Sequence, residues 1–230
     1  MPISNERRFI FIHIPKTAGI SVLMALQEHC SDLDFMSRNA WPRFFGTRRG
    51  VDLYRQLRGF FSLNTMVHFP EQHFPARILR ELVPEESWMS YFKFAFVRNP
   101  WDLVASSYHF SQQMFRNDPS AANGDPDIAY IIASLDFTNY VRARPYFASE
   151  GGLLPYITDR EGNLLVDFVG RLERIDEDFA EICRRIGVEA QLGRFNDAPR
   201  AHYREFYTPE TRDMIAREFA RDIEMFGYEF

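Results

Sequence analysis

Two short apolar runs stand out along the chain, and each leads directly into a turn. The first, Arg7–Ile14, is rich in β-branched and aromatic residues and is bounded by Pro15. The second, Tyr91–Val97, reads YFKFAFV. Apolar residues at successive rather than alternate positions are typical of strands that are buried on both faces. The pattern therefore predicts two interior strands of one sheet.

Helical patterns follow both runs. Apolar residues recur at helical spacing over Ile20–Cys30, which predicts a helix after the first turn. The helix after the second run has clearer start signals, because Asn99 can cap it and Pro100 suits its first position. Asp102 would place a carboxylate near its positive end. We expect each turn to join a buried strand to the N-terminus of a helix.

Similar patterns continue in the C-terminal half. Leu164–Gly170 is a third predicted strand, and it is followed by a helix that stops at Gly187. A last helix is predicted from Thr208 to Gly227. The apolar faces of these two helices are formed by Phe179, Ile182, Cys183 and Ile186, and by Ile215, Phe219, Ile223 and Phe226.

The alternation of strands with helices predicts the fold class. We expect an α/β fold with a parallel sheet flanked by helices on both faces, in a single domain over residues 1–230. A weaker strand candidate, Asn64–His68, and a helix after Pro75 suit the same alternation. Residues 36–62 and 112–154 fit it poorly, and we interpret them as insertions over the carboxyl edge of the sheet. Ligands of such sheets bind beyond the carboxyl ends of the strands.

Composition and charge narrow the classes of function. The chain has 27 basic and 32 acidic side chains, for a formal charge of −5. No general basic field therefore attracts nucleic acid or an anionic membrane, and an anionic ligand must be held by a few placed groups. The two cysteines, Cys30 and Cys183, lack metal-ligand spacing and suit a reducing compartment. With no signal-peptide pattern and no membrane-length apolar run, we expect a cytoplasmic protein without a transmembrane segment.

The first turn contains an unusual lysine. Lys16 is one of two lysines in a chain whose other side-chain cations are arginines. In HIPKTAGIS it stands where the apolar run meets a turn containing Gly19, and Thr17 and Ser21 add hydroxyl groups. Backbone N–H groups at such a strand-to-helix turn suit phosphate or sulfate. An ordinary turn with a solvated lysine is the alternative interpretation.

The first turn is not a Walker A loop. In that motif the lysine follows the glycines, whereas Lys16 precedes Gly19. This order argues against an ordinary ATPase or kinase.

Two motifs resemble those of the sulfotransferases that use 3′-phosphoadenosine 5′-phosphosulfate (PAPS). PKTAGIS is similar to the 5′-phosphosulfate loop of the carbohydrate branch, which includes heparan and chondroitin sulfotransferases. FAFVRNPWDLVASSYHF is similar to the 3′-phosphate motif, in which a serine follows a strand-ending arginine, and Arg98 and Ser106 match these two positions. DFVGRLERIDEDF and the stretch from Phe195 to Tyr228 resemble late segments of bacterial members. The resemblance covers most of the chain and implies a P-loop NTPase-like sulfotransferase fold.

The resemblance also implies a donor site. The residues that it assigns to the 5′-phosphosulfate are Lys16, Thr17, Ala18, Gly19 and Ser21. Lys16 would stabilise charge on the leaving oxygen in the transition state, and Arg98 and Ser106 would bind the 3′-phosphate. From the residues alone, an ion pair of Arg98 with Asp102 and an ordinary helix serine are the alternatives. Ile20 departs from the family, which usually has a hydroxyl residue there.

The candidates for the proton acceptor lie in the stretch NTMVHFPEQHFP. His68 is the first candidate, because related enzymes carry a GHFPYG-like segment, although a valine replaces the first glycine here. A histidine suits the role because its pKa lies near neutrality. Glu71 and His73 are rivals, since some sulfotransferases use a glutamate. His13 and His109 are expected to be structural.

Several arginines are further candidates. Arg200 lies with Asn196 and His202 in a loop that resembles the donor-covering segment of the family, and Arg171 is a weaker candidate for the site. A solvated surface is the alternative for each. A second group either forms a solvated helix face or receives an anionic acceptor: Arg38, Arg43, Arg48, Arg49, Arg55 and Arg58.

The resemblance therefore implies a PAPS-dependent sulfotransferase. It would move a sulfuryl group to a hydroxyl of a carbohydrate or glycolipid, with an anionic saccharide as one form of acceptor, and release 3′-phosphoadenosine 5′-phosphate (PAP). Such transfer needs positioning and charge stabilisation more than covalent chemistry, and the family requires no metal. A P-loop-related kinase and a non-catalytic nucleotide-binding module are the alternatives.

Overall fold

A computed structural model describes residues 3–30, 73–117, 126–144, 152–193 and 201–230, with backbone only for residues 126–129. Its four strands are β1 (Ile3–Ser4), β2 (Phe9–Ile12), β3 (Phe92–Val97) and β4 (Phe168–Arg171). The α-helices of this part of the chain are α1 (Gly19–Leu26), α2 (Ala76–Leu82), α3 (Glu85–Ser90), α4 (Pro100–Asn117), α5 (Pro126–Ser134), α6 (Phe137–Ala143), α7 (Leu154–Ile157), α8 (Ile175–Ile186), α9 (Pro209–Glu218) and α10 (Ala220–Phe226). Short 3₁₀ turns cover Gln27–His29, Leu172–Arg174 and Tyr203–Phe206.

The sheet has the order β1-β2-β3-β4 and is mostly parallel. β2 and β4 both pair with β3 in parallel, with Ile12 opposite Ala95 and Val97 opposite Arg171. This confirms the predicted α/β class. The predicted parallel sheet is confirmed for β2, β3 and β4, and β1 departs from it because it pairs antiparallel with β2. The sequence did not predict β1, because a strand of two residues is too short to show an apolar pattern.

The described residues group into two compact units. The first contains the described residues up to 97 together with 155–193, and the second contains those of 98–154 and 201–230. The single domain over residues 1–230 stays a prediction. No helix within these described ranges is long and apolar enough to cross a bilayer.

The first unit is built on the two faces of β2 and β3. On one face, Phe11 and Phe94 stack with ring centroids 5.1 Å apart, and α1 and α8 cover them with Val22, Leu26, Phe179, Ile182 and Ile186. On the other face, Ile10 and Ile12 are completely buried. Burial of both faces explains the unbroken apolar runs, since successive side chains point to opposite sides of a strand.

Lys93, the second lysine, has a structural role in this unit. Its Nζ donates to the carbonyl oxygens of Trp88 (3.1 Å) and Tyr91 (2.7 Å) and lies 2.9 Å from Asp167 Oδ2. The same carboxylate oxygen accepts the backbone N–H of Lys93 at 2.7 Å. Lys93 therefore holds the start of β3 to the segment that precedes β4.

The second unit is helical. The side chain of Asn99 accepts a hydrogen bond from Trp101 N at 3.1 Å, which confirms the predicted cap at the start of α4. Thr208 caps α9 through a reciprocal pair of bonds with Thr211. Within the predicted insertion 112–154, the described residues add α5, α6 and the continuation of α4. The other insertion, 36–62, and the strand candidate Asn64–His68 lie outside the described residues.

Some predicted boundaries were wrong. The strand predicted over Leu164–Gly170 is formed only by β4, and Leu164 itself makes an isolated bridge to Thr158. The helix predicted to reach Cys30 ends at Leu26 and continues as a 3₁₀ turn. The last predicted helix is two helices, α9 and α10, which meet at Phe219. Such end effects are decided by local contacts rather than by periodicity.

Candidate functional site

The turn between β2 and α1 is backbone-strained at two positions. Lys16 has a φ of 63° and Ala18 a φ of 60°, and neither residue is a glycine. A left-handed conformation costs an L-residue roughly 1–2 kcal/mol, and such strain persists where the surrounding structure enforces it. Lys16 is partly exposed, whereas its neighbours Pro15 and Thr17 are buried. The turn therefore fixes its backbone and presents the lysine at the surface.

Gly19 is needed for close packing and not for backbone freedom. It is the first residue of α1, and a Cβ built on it would lie 1.8 Å from Cδ2 and Nε2 of His13. The ring of His13 therefore lies directly against the start of the helix. The His13 ring also stacks on Phe11, with ring centroids 5.7 Å apart. The absent side chain is what lets the strand end and the helix start approach each other.

The two hydroxyl residues of the turn are buried. Thr17 donates its hydroxyl proton to the carbonyl oxygen of Ile14 at 2.9 Å. A hydroxyl has a single hydrogen to donate, and that of Thr17 is used within the turn. Ser21 lies in the first turn of α1 and is buried. Ile20, between Gly19 and Ser21, is 51% exposed. The surface of the turn is thus formed by Lys16, Ala18 and the apolar side chain of Ile20.

Two histidines adjoin this turn. The ring centroids of His13 and His73 are 4.3 Å apart, and Nδ1 of His73 lies 2.9 Å from the carbonyl oxygen of His13. Burial and the proximity of the two rings lower the pKa of His13 well below its usual value. Although His73 keeps some accessible surface, burial also lowers its pKa, to about 4, and Lys16 contributes in the same direction. Both rings are therefore neutral at physiological pH.

The edge of the sheet brings the ends of two strands together. β2 and β3 are adjacent and parallel, so that their carboxyl ends lie at the same edge of the first unit. The turn with Lys16 follows β2 at this edge. Arg98 follows Val97, the last residue of β3, directly in the chain.

Arg98 is held by an acidic neighbour within the second unit. Its Nε and Nη2 lie 2.8 Å and 2.7 Å from Asp102 Oδ2, and both side chains are largely buried. The ion pair considered as the alternative role of Arg98 is therefore present. Ser106 lies on α4 and is partly exposed, while the adjacent Ser107 is fully buried and its hydroxyl has no hydrogen-bond partner within the described residues.

Asn99 has a second contact that sequence reasoning missed. Its Nδ2 donates to the carbonyl oxygen of Glu229 at 2.8 Å. Trp101 is held similarly, because its Nε1 donates to Arg212 O at 3.0 Å and its carbonyl accepts from the hydroxyl of Tyr207 at 2.8 Å. These partners are more than a hundred residues away along the chain, so no local pattern could have indicated them. They fix the start of α4.

Of the other residues that the sequence suggested for the site, some lie within the described residues and some lie outside them. His68, Glu71, Asn196, Arg200 and the arginines of the stretch 38–58 lie outside the described residues. His202 caps the 3₁₀ turn Tyr203–Phe206. The ring of His109 packs on Phe206 with centroids 4.8 Å apart, as expected of a structural histidine. The backbone N–H of Arg171 donates to Asp178 at 2.7 Å.

The electrostatics of the described part include one further buried acid. Asp222 accepts the backbone N–H groups of Leu153 and Leu154 at 2.9 Å each, and burial raises its pKa to about 7. Its second oxygen has no hydrogen-bond partner in this part of the chain. Within the described ranges no group of three or more potential metal-ligating side chains converges.

Comparison with known proteins gives little beyond these features. No family model matches the chain. An uncharacterized protein of Archaeoglobus fulgidus is 28% identical over 134 residues, which cover 57% of this chain and 98% of that protein.

Proposed function

We propose that the protein is a PAPS-dependent sulfotransferase that acts on a hydroxyl acceptor. The observation that carries the proposal is the turn between β2 and α1. A partly exposed lysine stands there in a strained backbone, immediately before a helix N-terminus. Backbone N–H groups at a helix start and a nearby ammonium are suited to a phosphosulfate anion.

The 5′-phosphosulfate would be bound by the turn itself. Lys16 supplies the charge, and the backbone of Thr17, Ala18 and Gly19 supplies donors. Since the hydroxyl of Thr17 donates to Ile14 and Ser21 is buried, we assign most of the binding to backbone N–H groups. This also suits Ile20, which has no polar side-chain atom to offer.

The 3′-phosphate would be bound by the second turn. Arg98 and Ser106 are the proposed ligands, with Arg200 as an additional contact over the nucleotide. Because Asp102 already holds Arg98 at 2.7 Å, the guanidinium is pre-oriented and its net charge is partly compensated. An incoming phosphate must therefore share Arg98 with this carboxylate. We expect a dianionic phosphate to compete for Arg98 better than a ligand with less negative charge.

The reaction proposed is an in-line transfer. A new bond forms between sulfur and the acceptor oxygen while the bond from sulfur to the bridging phosphate oxygen breaks. Lys16 stabilises the charge that develops on this leaving oxygen. His68 is the first candidate for the proton acceptor on sequence grounds, with Glu71 and His73 as rivals. No metal is assigned to the reaction, and PAP is the second product.

The acceptor is proposed to be a carbohydrate or a glycolipid. An acidic saccharide would fit the arginines of residues 38–58, whose only acidic neighbour in the sequence is Asp52. We propose a cytoplasmic location for this activity. Nucleic acid is not an expected partner, because the chain carries a formal charge of −5.

The experiment is a radiolabelled-sulfate transfer assay with purified protein and a panel of cell-envelope sugars. Lys16→Ala should abolish transfer because the leaving oxygen loses its counter-charge. Arg80→Ala is the matched control, since it also removes one cation of the first unit from an exposed position on α2. Equal transfer by the wild type and Lys16→Ala would refute the role of the lysine.

Two other functions are separated by ligand binding. A P-loop-related kinase predicts that ATP with magnesium raises the melting temperature more than PAP does. A non-catalytic nucleotide-binding module predicts stabilisation by PAP without transfer to any acceptor. The exposed Ile20, at a position where the resembling family has a hydroxyl residue, is the specific feature that favours this module.

A further inference from the structure

We infer that His73 accepts the proton of the attacking hydroxyl group in the proposed reaction. The inference rests on the proposed function and assigns one of its open roles. Sequence reasoning ranked His68 first, and among the described residues the hydrogen bond of His73 and its position beside the turn fit this role.

The hydrogen bond of His73 fixes its tautomer. Nδ1 lies 2.9 Å from the carbonyl oxygen of His13, and a carbonyl can only accept a hydrogen bond. Nδ1 must therefore carry the proton, and in the neutral ring Nε2 holds the lone pair. A backbone carbonyl at Nδ1 is a common way to orient a histidine whose other nitrogen acts on a substrate.

The surroundings of His73 keep the ring neutral. Burial lowers its pKa to about 4, and the nearby Lys16 opposes a second positive charge. The bond to the His13 carbonyl acts in the opposite direction but does not restore the usual value. Nε2 is therefore unprotonated throughout the physiological range. A phosphosulfate anion bound beside Lys16 would raise the proton affinity of the ring at the moment when it must accept a proton.

The position of His73 is tied to the turn. Its ring lies 4.3 Å from that of His13, centroid to centroid, and the ring of His13 lies against Gly19 at the start of α1. As whole residues, His13 is 5% exposed and His73 keeps more accessible surface. We therefore give His13 a supporting role and assign the proton transfer to His73.

The proton step balances with the transfer. As the acceptor oxygen forms its bond to sulfur, its hydrogen moves to Nε2 of His73, which becomes an imidazolium. The electron pair of the broken sulfur–oxygen bond stays on the phosphate oxygen next to Lys16. The proton then leaves His73 to solvent after PAP departs, and no oxidant or further reactant is needed.

Two variants separate this role from a positioning role. In His73→Asn the amide nitrogen can replace Nδ1 as the donor to the His13 carbonyl, but no basic nitrogen remains. In His73→Gln the amide lies nearer to the position of Nε2 and the bond to His13 is lost. If His73 is the base, both variants should lose kcat, by about 10²–10⁴-fold, and both should still bind PAP. If His73 only positions its neighbours, His73→Asn should retain kcat and only His73→Gln should lose it. This result would overturn the inference.

His29→Asn is the matched control, because it also removes a partly exposed imidazole of the first unit, in the 3₁₀ turn that follows α1. It should keep kcat within a few-fold of the wild type. Loss of kcat in His68→Asn, with near-normal turnover in His73→Asn, would assign the role to His68 instead.

A measurement that needs no acceptor completes the test. Imidazole ¹⁵N NMR of the full chain should show His73 as the Nδ1–H tautomer, still neutral at pH 5. The Nε2–H tautomer would overturn the inference, because that nitrogen could not accept a proton. Failure of the proposed function is distinguishable from this outcome, since it appears as a wild type that neither binds PAP nor transfers sulfate, whatever the tautomer of His73.

Discussion

The two lysines show how much one residue depends on its surroundings. Lys93 Nζ has two carbonyl acceptors and the carboxylate of Asp167 within 3.1 Å, and it holds neighbouring segments of the sheet together. Lys16 stands in a left-handed backbone at the end of β2. The sequence singled out Lys16 by its place in a turn, whereas the structural role of Lys93 is visible only in the folded protein.

Gly19→Ala is expected to destabilise the protein. The added methyl group would lie 1.8 Å from the His13 ring, so that the ring or the helix start must shift. Overpacking of this kind costs about 1–3 kcal/mol in the free energy of unfolding, which urea denaturation would measure.

A double-mutant cycle gives the control for Gly19. In the background of His13→Ala the clash is absent, and alanine is the better helix former, so Gly19→Ala should be neutral or stabilising there. The same loss of stability in both backgrounds would contradict contact with the His13 ring as its cause.

The elements of the second unit are held at their ends. Asn99 illustrates this, because one side chain caps α4 through Trp101 N and also binds the carbonyl of Glu229. The cap was readable from the sequence. The contact with Glu229 was not, since the two residues are far apart along the chain.

Substitutions at Asn99 should separate these two contacts. Asn99→Asp keeps the oxygen that caps the helix but loses the N–H donor to Glu229, whereas Asn99→Ala loses both. We expect Asn99→Ala to cost about 1–3 kcal/mol of unfolding free energy, from the cap and from the unsatisfied carbonyl. The cost of Asn99→Asp should be smaller.

Thr208→Ala, which removes only the cap of α9, is the comparison for Asn99, with an expected cost of about 1 kcal/mol. Thermal or chemical denaturation of the three variants measures the series. An equal loss in Asn99→Ala and Thr208→Ala would show that the bond to Glu229 adds no stability.

Helix faces were predicted less well where a polar residue is buried. Ile223 was expected on the buried face of the last helix, but it is only partly buried, and Asp222 is buried instead. Its carboxylate accepts two backbone N–H groups from Leu153 and Leu154. Hydrophobic periodicity cannot indicate a carboxylate that is buried because it meets orphan backbone donors.

For the molecule as a whole, buried titratable groups predict how stability varies with pH. The folded state raises the pKa of Asp222 to about 7, so between its unfolded value near 4 and pH 7 the folded chain binds the proton more tightly. This contribution is present at low pH and is lost as the pH rises through 7. His13 and His73 act in the opposite sense, because their lowered pKa values favour folding above about pH 6.5 and this stability is lost as the pH falls.

Asp222→Asn isolates the contribution of the acid. The amide oxygen can still accept from Leu153 and Leu154, but it carries no charge that must be buried. We expect the variant to be more stable than the wild type at pH 8, by an amount on the order of a few kcal/mol, and to lose this advantage at pH 5. Denaturation curves of both proteins at the two pH values measure it. A stability difference that does not change with pH would contradict the raised pKa of Asp222.

The sequence alone determined the interior strands β2 and β3, the helices that follow them and the cap of α4. These features depend on short-range patterns: unbroken apolar runs, helical spacing, and an asparagine before a proline. It also singled out the turn at Lys16, because one residue type was out of keeping with the rest of the chain.

The tertiary structure decided what those patterns could not contain. It placed the His13 ring against Gly19, joined His73 to the His13 carbonyl and buried Asp222. Most of these depend on groups that approach each other only after the chain has folded, since neither burial nor a distant hydrogen-bond partner is a property of a local sequence. The pKa of a side chain follows from the same contacts, and for that reason the tautomer and the pKa of His73 could be argued only from the folded protein.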